Sequence, residues 1–143
     1  MSGRHIEAIF CDDIRNEIGN KMSFMGVYLN DMHVSDFPIT IPKLCIFASV
    51  HTAIEKPFKE LELVVRKDGE TISSIKFEPE SLVLNATSRE GFAPPTRAHA
   101  GAALIFSPFQ FDGPCRLDVV AITEEGELTG PKLYVTKALA PAT

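Results

Sequence analysis

Near its end the chain carries Cys115-Arg116-Leu117-Asp118-Val119-Val120-Ala121-Ile122-Thr123, then Glu124-Glu125-Gly126, then Leu133-Tyr134-Val135-Thr136. An apolar β-rich run, a turn ending in glycine and a second apolar run make a two-stranded unit. Runs of the same kind recur along the whole chain, punctuated by Gly, Pro, Asn and Asp, with no long helical period between them. Such strands can only bury their apolar faces by pairing into sheets and packing those sheets together.

Ile6 to Asp12 reads as the first strand, with Ile6, Ala8 and Phe10 on one face and Ile9 and Cys11 on the other. Apolar residues on both faces mark a central or covered strand. Arg15 to Lys21 is a polar connection with Gly-Asn turn chemistry. Phe24 to Val34 reads as a second strand, in which Gly26 marks a bulge or a close backbone approach. Phe37-Pro38-Ile39-Thr40-Ile41-Pro42 breaks regularity, because each proline lacks a backbone donor. Leu44 to Thr52 is a third strand. Leu61 to Lys67 and Thr71 to Glu78 flank Asp68-Gly69, a strong hairpin signal.

Ser81 to Asn85 reads as a short strand, and 86–97 as a long loop interrupted by Pro94-Pro95. Ala98 to Phe106 is a strand of small residues, and Phe109 and Phe111 precede the Asp112-Gly113-Pro114 turn. Gly19 and Pro57 count against short helices at Ile14–Met22 and Ala53–Leu61. The expectation is an all-β, antiparallel two-sheet sandwich of seven to nine strands, forming a single domain over residues 1–143. It is immunoglobulin-like in architecture alone, since the chain has no Trp to match the antibody-domain signature. At 15.7 kDa it buries about two-thirds of its extended surface, enough for a proper core.

The net charge of −5, with no clustered basic patch, excludes nucleic acid as an expected partner. No run is long enough to cross a bilayer, and the start lacks the apolar stretch of a secretory signal. The three widely spaced cysteines, Cys11, Cys45 and Cys115, fit reduced core thiols better than a disulfide frame. Together these features point to the cytoplasm, where the acceptor pattern Asn85-Ala86-Thr87 carries no glycan.

The opening Ile9-Phe10-Cys11-Asp12-Asp13-Ile14-Arg15, then Gly19-Asn20-Lys21, then Gly26-Val27-Tyr28, resembles an uncharacterised family of small bacterial proteins. That family begins with a Cys-Asp-Asp-like strand, a Gly-Lys turn and a Gly-x-Tyr strand. The resemblance extends to the approach from Phe37-Pro38 to Leu44 and, more loosely, from Phe109 to Val119. It implies a bacterial, cytoplasmic β-sandwich and carries no activity or catalytic residue.

The densest polar cluster is Cys11-Asp12-Asp13 with Arg15 and Glu17. Asp12, Asp13 and Glu17 are candidate ligands for a divalent cation, since carboxylate oxygens suit Ca²⁺ or Mg²⁺. Against this, adjacent strand residues point to opposite faces, and a strand-end turn uses the same residue types. His5, His33, His51 and His99 show no metal-ligand spacing on one element, and read as solvated surface groups. Strands can nevertheless gather distant ligands, which leaves His33 or His51 with a cysteine as a three-dimensional alternative.

No G-x-S-x-G elbow, phosphate-binding Gly loop or H-E-x-x-H is present. The chain therefore reads as a non-enzymatic protein-interaction or assembly module, without a cofactor, that binds a protein partner or itself. The alternative is a small-molecule or divalent-metal-binding domain, or an enzyme, built on the strand-end carboxylates. Candidate partner contacts are Arg89, Phe92 and Arg97 around the long loop, and Phe109 and Phe111, if these phenylalanines form a surface patch rather than core.

Overall fold

A computed structural model of the chain describes residues 3–78, 80 and 88–139. It is all-β, with eleven strands among the described residues: β1 (His5–Glu17), β2 (Lys21–Tyr28), β3 (Asp31–Val34), β4 (Ile39–Ile41), β5 (Leu44–Ala53), β6 (Leu61–Lys67), β7 (Glu70–Lys76), β8 (Arg97–Phe106), β9 (Phe109–Phe111), β10 (Cys115–Thr123) and β11 (Gly126–Lys137). They form a four-stranded sheet in the order β2-β1-β5-β8, a five-stranded sheet β3-β11-β10-β6-β7 and a ribbon β4-β9. The expected strand at Ser81–Asn85 and the Asn85-Ala86-Thr87 pattern lie outside the described residues.

The alternation along the strands explains the core. In β5, Leu44, Ile46, Ala48 and Val50 turn inward, while Phe47, Ser49 and His51 occupy the opposite parity. Leu61, Leu63 and Val65 of β6, Leu117, Val119 and Ala121 of β10, and Leu133 and Val135 of β11 join the same hydrophobic cluster. One core therefore draws on both larger sheets. The Asp68-Gly69 hairpin forms as expected: both residues take positive φ (50° and 88°), the backbone that a two-residue turn between twisted strands requires.

Four expectations are corrected. Among the described residues the count is eleven strands rather than seven to nine. The pairing is not wholly antiparallel, because β3 runs parallel to β11. The single strand expected over Phe24–Val34 is two strands in different sheets; the chain bends at Leu29-Asn30, where the Asn30 carbonyl accepts the Tyr134 N–H at 2.9 Å. The irregular Phe37–Pro42 segment and the Phe109–Phe111 stretch pair with each other as β4 and β9. Prolines flank Ile39–Ile41 without interrupting it, so the three-residue ladder loses no donor.

Candidate functional site

The first polar constellation is a histidine row on the outer face of the four-stranded sheet. His5 on β1, His51 on β5 and His99 on β8 stand directly opposite one another across two antiparallel ladders. All three share the parity that faces away from the core. The His5 and His51 rings stack with centroids 4.5 Å apart and planes 2° from parallel; His51 and His99 follow at 5.5 Å.

Glu7, two residues along β1, reaches both imidazoles. Its Oε1 lies 3.4 Å from His5 Nε2 and its Oε2 3.6 Å from His51 Nε2. Ser49 Oγ lies 3.1 Å from the same His51 nitrogen. Burial, followed by the charge of His5, lowers the His51 pKa; Glu7 opposes the shift. His5, Glu7 and His51 are the one group of three metal-ligating side chains among the described residues whose ligand atoms lie within 4.8 Å of one another. A groove of about 410 Å³ runs over Glu7, Ser49, His51, His99 and Gly101. A second, apolar hollow beside it is lined by Met22 and Phe24 of β2 with Ile9 and Phe47; the Phe24 and Phe47 rings are 5.6 Å apart.

Sequence spacing hid this row, because the three histidines are separated by tens of residues and meet only through strand register. The one available signal was parity: His51 and His99 sit out of phase with the apolar positions of their strands. His33 is elsewhere, at 3.2 Å from Thr136 Oγ1.

The strand-end carboxylates do not converge. Asp12 accepts a hydrogen bond from Tyr28 Oη at 2.5 Å and lies over Gly26, where an added Cβ would stand 2.2 Å from its Oδ2. Gly26, with φ +68°, thus makes the close backbone approach expected of it. Burial and the Asp12 carboxylate push the Tyr28 hydroxyl pKa upward. Asp13 instead pairs with Lys43 Nζ at 2.7 Å, a bond that lowers its pKa, and Glu17 pairs with Arg15 at 3.6 Å. Asp12 and Asp13, as neighbouring strand residues, point apart, and the three carboxylates have separate partners in Tyr28, Lys43 and Arg15.

Among the candidate partner contacts, Phe92 is 76% exposed in the loop before β8, which also carries Arg89. Arg97 opens β8 and donates to the Gly3 carbonyl. Phe109 and Phe111 take the core alternative rather than the surface patch: both are buried in the hydrophobic cluster, and Phe111 has no exposed surface. All three cysteines are buried and free. Cys11 and Cys45 are cross-strand neighbours, and burial, with the proximity of Cys45, raises the Cys11 thiol to about 11.

An apolar edge completes the inventory. β2 closes one side of the four-stranded sheet, and Met25 (42%), Val27 (49%) and the adjoining Leu29 (86%) are exposed there at every second position. No helix of the described residues is long and apolar enough to cross a membrane.

These features define an all-β domain with an open histidine–carboxylate face and one apolar edge. The chain belongs to a family of unknown function, DUF6941, whose model matches residues 7–136. The match spans nearly all of both larger sheets, and agrees with the expectation of an uncharacterised family. No curated protein matches the chain.

Proposed function

We propose that this protein is a non-enzymatic assembly module of the bacterial cytoplasm, and that it self-associates by adding the β2 edge of one copy to the β2 edge of another. The two larger sheets are taken as the layers of a β-sandwich of immunoglobulin-like architecture. The single hydrophobic cluster drawn from both supports that view.

The observation that carries the proposal is the chemistry of β2 as an edge. Edge strands are ordinarily blunted by shortness, charge or small side chains. β3 has four residues and begins on Asp31. β7 begins on Glu70 and ends on Lys76. β8 is dominated by Ala and Gly, which offer a partner little area to bury. β2 begins on Lys21, but from Met22 to Leu29 it carries no charge, and Met22, Met25, Val27 and Leu29 are exposed along it.

The absence of charge favours a second copy as the occupant. Antiparallel pairing about a two-fold axis at Gly26 brings Met25 against Val27 of the other copy and sets no like charges opposite each other. It would merge two four-stranded sheets into one of eight strands.

Native mass spectrometry and light scattering across a concentration series test the proposal. The wild-type chain is expected to give a dimer mass, and Val27→Lys, which sets two lysines near the shared axis, a monomer. A wild-type chain that stays monomeric at high concentration overturns the proposal, as does a Val27→Lys variant that dimerises as well as wild type.

A further inference from the structure

We propose that His5, Glu7 and His51 form a binding site for a single transition-metal dication of the Zn²⁺ class on the outer face of the four-stranded sheet. The proposal is independent of β2 pairing, since the site lies on the faces of β1 and β5 and not on the sheet edge.

The backbone supplies the first part of the argument. The β1–β5 ladder sets His5 directly opposite His51, and Glu7 follows two residues later on the same face. Two adjacent hydrogen-bonded strands thus hold all three Cα positions, so little backbone freedom remains to be lost on binding. Distances supply the second part. A tetrahedral ion with ligands at 2.0–2.1 Å spaces those ligand atoms about 3.3 Å apart. The Glu7 oxygens already lie 3.4 and 3.6 Å from the two Nε2 atoms, and all three ligand groups fall within 4.8 Å.

Some rearrangement is needed. Parallel rings direct their Nε2 lone pairs side by side, so the imidazoles must splay from their 2° stack for both to reach one ion. The exposed His5 side chain has room to turn, while His51 is backed by His99 on its other side. Ser49 would also have to yield the His51 nitrogen that it now contacts.

The donor set decides the class of ion. Two imidazoles and one carboxylate match Zn²⁺ and its transition-metal neighbours, whereas Ca²⁺ and Mg²⁺ require oxygen ligands throughout. Three protein ligands leave a fourth position for water or for a donor group from a ligand. The groove above Glu7, Ser49 and His51 provides the space.

The test titrates tag-free, metal-stripped full chain with ZnCl₂, using calorimetry against a competing chelator and native mass spectrometry for stoichiometry. One Zn²⁺ per chain is expected, with no response to CaCl₂. His51→Ala and Glu7→Gln should each weaken binding at least about tenfold, while His33→Ala leaves it unchanged. Far-UV circular dichroism checks that the variants fold, and since all three positions face away from the core, they should. Absence of one-to-one binding overturns the proposal. So does Zn²⁺ binding that survives the double change His5→Ala/His51→Ala, or that disappears on Cys11→Ser/Cys45→Ser while the histidine variants retain it.

Discussion

Arg4 is the residue with the most at stake. Its side chain is almost wholly buried, and it ties the start of the chain to two distant turns. Nε donates to Thr52 Oγ1 at 3.0 Å, Nη2 reaches the Lys56 and Pro57 carbonyls at 3.2 Å, and Nη1 meets Glu124 Oε2 at 2.6 Å. The guanidinium also lies over the Phe58 ring, 4.6 Å from its centroid. Burial pushes the Glu124 carboxyl pKa up, but the N–H groups of Lys59 and Glu60 and the Arg4 cation outweigh it and hold the pKa down at about 2, against an ordinary 4.5. A carboxylate depressed by folding stabilises the protein above its unfolded pKa, and that contribution is lost as pH falls toward the folded value. Urea unfolding should therefore show stability falling between about pH 5 and pH 2, and Glu124→Gln should be less stable at neutral pH with a flatter acid limb. Equal acid limbs in variant and wild type would refute this assignment. Nothing in the local sequence announced the clamp, because Arg4 and Glu124 are brought together only by the fold.

At the scale of elements, the β10–β11 hairpin contains an irregularity that its sequence explains afterwards better than beforehand. Asp118 pairs with Lys132 and Val120 with Thr129, so Gly130 and Pro131 together oppose Val119. This is a bulge, and it accommodates a proline that cannot donate to a regular ladder. Gly130 also lets two surfaces meet: an added Cβ would stand 2.4 Å from the Val119 carbonyl oxygen and 3.2 Å from Ile6 Cγ2 of the other sheet. Backbone cannot swing aside as a flexible side chain can. Gly130→Ala is therefore expected to cost about 1–3 kcal/mol in urea unfolding. Gly113→Ala, with nothing within 4 Å of the new methyl, should stay within about 0.5 kcal/mol of wild type. The central elements were legible because their signals are local. β5 shows its inward face by alternation, β6 and β10 are apolar β-rich runs, and Asp68-Gly69 states its own turn. Phe24–Val34 misled because a strand that changes sheet at Leu29-Asn30 keeps its β composition on both sides of the bend.

For the whole molecule, the thiols are shielded in two places: Cys115 belongs to the core shared by both larger sheets, while Cys11 and Cys45 meet across β1 and β5 on the parity opposite to it. Cys11, Cys45 and Cys115 are all buried, and burial is the leading cause that raises each thiol above its ordinary pKa. An aromatic disulfide reagent at neutral pH should label none of the three in the native protein and all three in urea. Rapid labelling of the native chain would contradict this packing. Cysteine burial was foreseeable from the apolar context of each residue, and so was the all-β class, since both follow from the period and composition of short segments. The gathering of His5, His51 and His99 was not. The sequence alone determined the all-β class and most of the longer strands, because side-chain period and composition are set within a few residues. Only the tertiary structure decided which strands are neighbours and in what register. That choice minimises the exposed apolar surface of the whole chain, and a one-residue slip would send every side chain of a strand to the opposite face.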